Sequence, residues 1–314
     1  MTPRVLITGG RGLVGKALAT RVLAQGLTVR VSTRQKFITT DLRLECVETT
    51  DSSFATDWLS AVQDIDTVVH CAARVHVMQD TEADPLTAFR TVNVDGTLNL
   101  ARQVASAGVK RFVFISSVKV NGESTQPCQA FTEADMANPQ DAYGVSKHEA
   151  ELGLRRLAAD TGMEVVIIRP PLVYGPGVKA NFAALMRAVQ RGIPLPLGAV
   201  HNQRSLVALD NLVDFIVTCI THPQAANQTF LVSDGQDLST TELVRGMAQA
   251  AGVPARSLPV PVWALQAGAS LLGKGDVVQR LCVNLQVDIS KARDLLGWVP
   301  PVSVEDGLRR AMAV

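Results

Sequence analysis

The segment Val5-Leu6-Ile7-Thr8-Gly9-Gly10-Arg11-Gly12-Leu13-Val14-Gly15 joins an apolar strand pattern directly to a helical pattern. It matches GxGxxG from Gly10 and the variant GxxGxxG from Gly9. Such a turn lets the main chain approach a pyrophosphate closely, and the helix N-terminus that follows offers free N–H groups. We therefore predict a dinucleotide site with the cofactor-binding residues Gly9, Gly12, Leu13, Val14 and Gly15.

A nucleoside-triphosphate P-loop is the main alternative for these glycines. The residues from Gly10 to Lys16 fit GxxxxGK, but the next residue is Ala17. Alanine lacks the hydroxyl that binds magnesium in a P-loop, so we reject this interpretation. A purely structural turn is disfavoured because three glycines at this spacing are more than a simple turn requires.

Strand and helix signals alternate through the first half of the chain. The predicted strands are Arg4–Thr8, Thr28–Ser32, Thr67–Cys71, Arg111–Ser116 and Val165–Arg169. The predicted helices are Gly15–Gln25, Asp57–Gln63, Thr87–Ala107 and Tyr143–Thr161. This alternation predicts an α/β fold of the Rossmann type, a doubly wound parallel sheet covered on both faces.

The pattern changes after about residue 170, where prolines and glycines cluster. The helices predicted there, Asn181–Arg191 and Thr240–Ala251, are separated by irregular segments. We expect residues 1–170 to form the Rossmann domain. We expect residues 171–314 to form mainly a smaller substrate-binding domain, with some segments returning to the Rossmann sheet.

Composition argues against several function classes. The formal net charge of +1 provides no global basic field for nucleic acid or an anionic membrane, so local groups must hold any anionic ligand. The five cysteines are scattered without a CxxC pair, which is typical of reduced thiols in a cytoplasmic enzyme rather than of a disulfide or zinc framework. We expect no metal site, and the first apolar run is too short for a signal peptide.

The most apolar later stretch runs from Val260 to Gly273. It is shorter than the roughly 20 residues that cross a bilayer, so we expect no transmembrane segment. A buried helix, a dimer face and a surface that touches a membrane are the three interpretations. We favour the buried helix.

The end of the second strand bears on the choice between NAD and NADP. NAD sites usually place an acidic residue there for the ribose hydroxyls. Here Ser32, Thr33 and Arg34 follow instead, with Arg11 in the glycine turn. Because a guanidinium suits a 2′-phosphate, we expect NADP(H), with NAD(H) as the alternative if Arg34 is an ordinary solvated residue.

Tyr143 and Lys147 form a YxxxK motif on one helical face. A lone tyrosine has a pKa of about 10 and is a poor base at neutral pH. We expect the lysine to lower the pKa of the phenol, so that it can exchange a proton with an alcohol or a carbonyl during hydride transfer. Ser116 and Ser117 lie at the C-terminal end of the strand Arg111–Ser116, at the sheet edge where α/β enzymes bind ligands.

The chain resembles the extended short-chain dehydrogenases/reductases, the NAD-dependent epimerase/dehydratase family. The resemblance rests on Thr8–Gly15, His70–Ala73, Asn93–Thr97, Ile115–Ser117, Tyr143–Lys147, Arg169-Pro170, Tyr174–Gly177, Asp288–Ala292 and Leu296–Trp298. It implies that Ser117, Tyr143 and Lys147 are the catalytic residues. It also implies cofactor contacts from Ala72, Asn93, Tyr143, Lys147 and Pro170, and a homodimer formed through the helices Thr87–Ala107 and Tyr143–Thr161.

The resemblance also narrows the reaction. Nucleotide-sugar dehydratases of this family carry an Asp-Glu pair where this chain has Val118 and Lys119, so dehydration is disfavoured. The two reactions that remain possible are reduction of a keto sugar and epimerisation at C4. A third hypothesis, a non-catalytic dinucleotide-sensing protein, is disfavoured by the intact set of Ser117, Tyr143 and Lys147. Arg34 and the absence of a tyrosine at Asn121 favour the NAD(P)H-dependent reductase over the epimerase with tightly bound NAD.

Substrate residues follow from the same resemblance. Arg204 and Asn181 match positions that bind the diphosphate of a UDP-sugar. The run from Gly175 to Phe182 resembles bacterial enzymes that reduce UDP-4-keto-6-deoxy-N-acetylglucosamine to UDP-N-acetylquinovosamine for surface polysaccharide. That reduction is the specific expectation, and a UDP-hexose or UDP-N-acetylhexosamine 4-epimerase is the alternative.

Overall fold

A computed structural model describes residues 3–35, 37, 39–49, 55–75, 84–271, 273 and 275–313. Its main sheet has seven parallel strands, β1 (Arg4–Thr8), β2 (Thr28–Thr33), β3 (Leu44–Glu48), β4 (Thr67–His70), β5 (Arg111–Ile115), β6 (Glu164–Arg169) and β9 (Thr229–Leu231). Their order in the sheet is β3-β2-β1-β4-β5-β6-β9. The predicted Rossmann-type α/β fold is confirmed.

Helices cover both faces of the sheet. They are α1 (Leu13–Ala24), α2 (Leu59–Val62), α3 (Pro85–Arg90), α4 (Thr97–Ser106), α5 (Ala142–Thr161) and α7 (Leu209–Thr221). One apolar cluster joins strands to α1 and α7, and a second joins them to α2, α4 and α5. Burial on both faces explains why Val5, Leu6 and Ile7 of the central β1 form a continuous apolar run.

A smaller layer follows β6. It contains the two-stranded parallel pair β7 (Leu172–Tyr174) and β8 (Leu206–Ala208), together with α6 (Ala180–Gln190), α8 (Thr240–Ala250), α9 (Val262–Leu271), α10 (Gly275–Cys282) and α12 (Val304–Met312). Helix α11 (Ser290–Leu296) instead packs on β9 and the first apolar cluster. The core of the smaller layer is a third apolar cluster that includes Phe182, Met247 and Leu308. Between these elements the chain returns to the main sheet, because β9 pairs with β6 and α7 packs on α1.

The helix predicted at Thr87–Ala107 is interrupted. A π-helix at Thr91–Gly96 separates α3 from α4. Pi-helical turns are rare and occur frequently at functional sites, and apolar spacing alone does not reveal them. Strand β3 was not predicted, because its five residues Leu44–Glu48 include two glutamates, do not alternate regularly and are only partly buried at the edge of the sheet.

A helix does form within Val260–Gly273, but the prediction that this helix is buried is wrong. Helix α9 forms there, but Trp263 is 73% and Leu271 is 89% exposed. Only one face of the helix packs on the third apolar cluster, through Val262 and Leu265. Among the described residues, no helix combines the length and apolar character needed to cross a membrane.

Candidate active site

The glycine turn lies between β1 and α1. Gly9 has a φ of +67°, and a Cβ on it would lie 2.8 Å from the main-chain nitrogen of Ala72. A Cβ on Gly15 would overlap the carbonyl oxygen of Gly9, to which Gly12 N–H donates at 2.8 Å. Glycine is therefore required for both the bend and the close packing of the turn, which leaves bare main chain at the start of α1.

His70 helps to hold this turn in place through hydrogen bonds to the residues that flank it. The Thr8 hydroxyl accepts the N–H of Ala72 at 3.3 Å and is hydrogen-bonded to Nδ1 of His70 at 2.7 Å. The other ring nitrogen, Nε2, is hydrogen-bonded to the Thr97 hydroxyl at 3.0 Å. His70 therefore ties the ends of β1 and β4 to the start of α4, a role that the sequence motif did not reveal.

Burial lowers the pKa of His70 from 6.5 to about 3, with the nearby Lys147 charge as a smaller cause. The unfolded chain then binds a proton below pH 6.5 that the folded chain does not bind until about pH 3. Stability from neutral His70 is thus present above pH 6.5 and is lost as the pH falls. We expect this loss to approach about 1.4 kcal/mol per pH unit.

Urea unfolding of the wild type and of His70→Gln between pH 6.5 and about 5 measures this effect. The wild type should lose stability more steeply than the variant over that range, because glutamine does not titrate. Equal slopes for the two proteins would show that His70 is not kept neutral in the fold.

Asn93, predicted near the cofactor ribose, lies in the π-helix and is buried. Its amide nitrogen donates to the Arg74 carbonyl and to the Ser146 hydroxyl, each at 3.0 Å. Its oxygen accepts the Arg74 N–H at 2.8 Å. Asn93 therefore connects the loop that follows β4, which includes Ala72, to α5.

The end of β2 offers less to a 2′-phosphate than the sequence indicated. The Ser32 hydroxyl is hydrogen-bonded to that of Thr49 at 2.7 Å, and the Thr33 hydroxyl donates to the Gln35 carbonyl at 2.8 Å. Both residues are buried, whereas Arg34 is exposed. Of the groups expected to favour NADP, the Arg34 and Arg11 side chains are exposed, and the Arg11 guanidinium donates to the Gln35 side chain at 3.1 Å. Their role toward a 2′-phosphate stays a prediction.

Helix α5 places Tyr143 and Lys147 one turn apart at the carboxyl end of β5. The Lys147 ammonium donates to the Ile115 carbonyl at 2.9 Å and lies 4.5 Å from the centroid of the Phe114 ring. The same nitrogen is 5.9 Å from the centroid of the Tyr143 ring. The two predicted catalytic side chains are therefore neighbours.

Asp141 starts this helix. Its carboxylate accepts the N–H of Gly144 at 2.7 Å and pairs with the Lys119 ammonium, which also contacts Glu123 at 3.0 Å. The neighbouring Val118 is buried in the protein core. The residues that replace the dehydratase Asp-Glu pair thus have structural roles, since Lys119 holds the N-cap of the catalytic helix.

The ionisation of the pair differs from the expectation. Burial, with a smaller effect of Asp141, raises the pKa of Tyr143 above its usual value. Burial also lowers the pKa of Lys147 to about 8. The expected lowering of the Tyr143 pKa is not seen, because desolvation of the phenolate outweighs an ammonium that is already engaged by Ile115 and Phe114.

The two serines after β5 have different environments. Ser116 is buried, and its hydroxyl donates to Glu151 at 2.6 Å. Ser117 is half-buried, and its oxygen accepts the Lys119 N–H at 3.2 Å, which leaves the hydroxyl hydrogen for another acceptor. Ser116 is therefore structural, and Ser117 is the serine whose hydroxyl suits a ligand oxygen.

A buried charge network supports this strand end, and sequence reasoning did not find it. The Arg169 guanidinium donates to both oxygens of Glu151, at 2.9 and 2.6 Å, and to the Asn121 side chain at 2.9 Å. The Arg169 and Glu151 side chains are 4% and 0% exposed. A helix, a strand and the loop after β5 are thereby held in one arrangement.

The predicted substrate residues lie apart from these contacts. Asn181 is exposed at the start of α6. The Arg204 guanidinium donates to the Arg280 carbonyl at the end of α10 and to the Val283 carbonyl at 3.4 Å, and burial lowers the pKa of Arg204.

Pro170, a predicted cofactor residue, lies directly after β6. Its carbonyl accepts the Val118 N–H at 3.0 Å and so supports the loop after β5.

Known proteins resemble this chain over nearly its whole length. A family model described as the NAD dependent epimerase/dehydratase family matches residues 5–233. The chain is 51% identical over 311 residues to a UDP-glucose 4-epimerase from Vibrio cholerae, covering 99% of this chain and 94% of that protein. It is 27% identical over 329 residues to an Escherichia coli O157:H7 N-acetyl-alpha-D-glucosaminyl-diphospho-ditrans,octacis-undecaprenol 4-epimerase, covering 99% and 95% of the two chains.

A solved structure shows the same fold. UDP-glucuronic acid 4-epimerase from Bacillus cereus in complex with NAD superposes with a TM-score of 0.79 at 21% identity, covering 99% of this chain and 95% of that one. The family model spans most of the chain and the Vibrio cholerae relative nearly all of it. This chain therefore belongs to the NAD-dependent epimerase/dehydratase family, the extended short-chain dehydrogenases/reductases.

Proposed function

We propose that this protein is an NAD-dependent 4-epimerase of a UDP-linked hexose. The observation that carries the proposal is the 51% identity, over nearly the whole chain, to a protein named UDP-glucose 4-epimerase. The Escherichia coli relative is also named for 4-epimerisation, of a sugar on a different carrier. Because both relatives are named 4-epimerases but of different substrates, their names support inversion at C4 more strongly than they support a particular sugar as the substrate.

Epimerisation therefore takes the place of the keto-sugar reduction favoured from the sequence. That preference rested on Arg34 and on the absence of a tyrosine at Asn121. Neither of the two relatives is named a keto-sugar reductase. Asn121 accepts a hydrogen bond from Arg169, so its role in the buried network accounts for this residue without reference to the reaction.

The glycine turn fits a dinucleotide, because a Cβ at Gly9 or Gly15 would collide with main-chain atoms of Ala72 or of Gly9 itself, so the tight turn at the α1 N-terminus requires glycine. When bound, NAD supplies reversible removal of hydride from the sugar. Gly9, Gly12, Leu13 and Val14 would hold its pyrophosphate on the α1 N-terminus. We propose NAD rather than NADP, because the Bacillus cereus neighbour is in complex with NAD and because Ser32 and Thr33 already have partners within the protein.

The residues of this chain then have distinct tasks. The Tyr143 side chain acts as the phenolate, which takes the proton of the sugar 4-hydroxyl and then, as the phenol, returns it to the same oxygen. Because burial raises the pKa of Tyr143, formation of the phenolate requires the positive charge of the neighbouring Lys147. The Ser117 hydroxyl donates a hydrogen bond to that sugar oxygen, and Lys147 orients and polarises the Tyr143 side chain. Arg204 and Asn181 remain candidates for the diphosphate, and Arg204 must exchange its carbonyl contacts to bind it.

An assay without added cofactor tests this function. Purified protein should interconvert UDP-glucose and UDP-galactose, or their N-acetylated forms, with no net change in nicotinamide absorbance. The nucleotide released by denaturing the protein should be NAD. Turnover that requires added NADPH and a 4-keto sugar nucleotide would contradict epimerisation and support the reductase.

A further inference from the structure

Helix α9 presents an uncovered apolar face. Trp263, Ala267 and Leu271 are spaced i, i+4 and i+8, so they share one side of the helix, and all three are exposed. The opposite side packs inward through Val262 and Leu265, and Ala269 is buried. A helix that is apolar on both sides normally has both sides covered, so the outward face indicates a further contact.

Exposed apolar side chains continue beyond the helix. Leu258 is 52% exposed and pairs through its main chain with Leu195, at 2.8 Å from its N–H to the Leu195 carbonyl. Ile193, two residues earlier, is 47% exposed. We call Ile193, Leu258, Trp263, Ala267 and Leu271 the apolar patch.

The segments that carry the apolar patch lack acidic residues. Residues 165–209 and 243–275 contain no aspartate or glutamate. They carry exposed arginines, and the Arg256 guanidinium donates to the Gly192 carbonyl at 3.4 Å, next to Arg191 and Ile193. Arg187 is exposed in the last turn of α6. Local positive charge therefore accompanies exposed apolar surface, although the whole chain has a net charge of only +1.

We propose that the apolar patch binds the surface of an anionic phospholipid bilayer. Tryptophan and leucine insert at the level of the lipid headgroups, and arginines beside them are attracted to anionic lipids. A second protein copy would cover the apolar side chains equally well, but the absence of carboxylates leaves the arginines without opposite charges from the same segments of that copy. The charge pattern therefore favours lipid.

The tryptophans of this protein provide a direct readout. Of the three, Trp58 and Trp298 are buried and Trp263 is exposed. Adding phosphatidylglycerol vesicles should shift the fluorescence emission to shorter wavelength, because Trp263 leaves water. Phosphatidylcholine vesicles should cause a much smaller shift. Trp263→Phe should abolish the shift but still float with anionic vesicles.

Vesicle flotation of the full chain tests binding itself. The double variant Trp263→Ser/Leu271→Ser should bind anionic vesicles at least about tenfold more weakly, as should Arg187→Gln/Arg191→Gln. Leu42→Ser is the matched control, because Leu42 is 98% exposed but lies far along the chain from the patch. All variants should retain wild-type turnover of a soluble UDP-sugar.

Two results would overturn the proposal. One is flotation that is absent, or equal for the wild type and the Trp263→Ser/Leu271→Ser variant. The other is gel filtration in which that variant breaks up an oligomer while the wild type ignores vesicles, since the patch would then join copies of this chain.

Discussion

Replacing Tyr143 by phenylalanine is expected to lower kcat about a thousandfold, because the variant loses the atom that exchanges a proton with the sugar. The ring itself should stay in place, since it packs edge-to-face on Phe89 with centroids 6.0 Å apart. Folding and cofactor content should therefore be unchanged. Steady-state kinetics and the nucleotide released on denaturation measure the two properties separately.

The chain offers a matched control, because it contains only one other tyrosine, Tyr174. The Tyr174 hydroxyl donates to Asp234 at 2.8 Å in the smaller layer. Tyr174→Phe should lower stability by about 1–3 kcal/mol and leave kcat within about twofold of the wild type. A Tyr143→Phe variant with near-normal kcat would exclude Tyr143 as the acid and base.

Replacing Arg169 by methionine is expected to cost about 3–5 kcal/mol of stability, since it leaves the buried Glu151 carboxylate without its bidentate partner. The loss is a large fraction of the 5–15 kcal/mol that is typical of a folded domain. It should also disturb the loop after β5, because Arg169 contacts Asn121 as well. Urea unfolding measures the stability change.

Arg155 is the control for this experiment, because it pairs with the same carboxylate oxygen of Glu151 at 3.2 Å but is 44% exposed. Arg155→Gln should cost no more than about 1 kcal/mol, as is usual for solvent-exposed ion pairs. If the two variants are equally stable, burial does not govern the strength of the Arg169–Glu151 pair.

Local patterns predicted the parts of the molecule that depend on local chemistry. The glycine turn was recognisable because close main-chain packing permits only glycine at Gly9 and Gly15. The Tyr143–Lys147 pair was recognisable because helical spacing alone makes the two residues neighbours. The parallel sheet was predictable from the alternation of strand and helix signals along the chain. The strands themselves were recognisable because strands buried on both faces require continuous apolar runs.

Features that depend on tertiary contacts could not be predicted in this way. Ser116 and Ser117 are adjacent in sequence, and only the position of Glu151 separates their roles. The sign of the Tyr143 pKa shift depends on burial that sequence spacing does not contain. Likewise, the composition of α9 is that of a buried helix, and only the packing shows that Trp263 lies outside.

Deuterium at C4 of UDP-glucose tests the central claim most directly, because a 4-epimerase removes that hydrogen as hydride and returns it to the same carbon. We predict UDP-galactose that retains the deuterium at C4, formed in ordinary water without added cofactor and analysed by mass spectrometry and NMR. Loss of the label to solvent, or no product until NADPH and a 4-keto sugar nucleotide are supplied, would contradict the proposed epimerase.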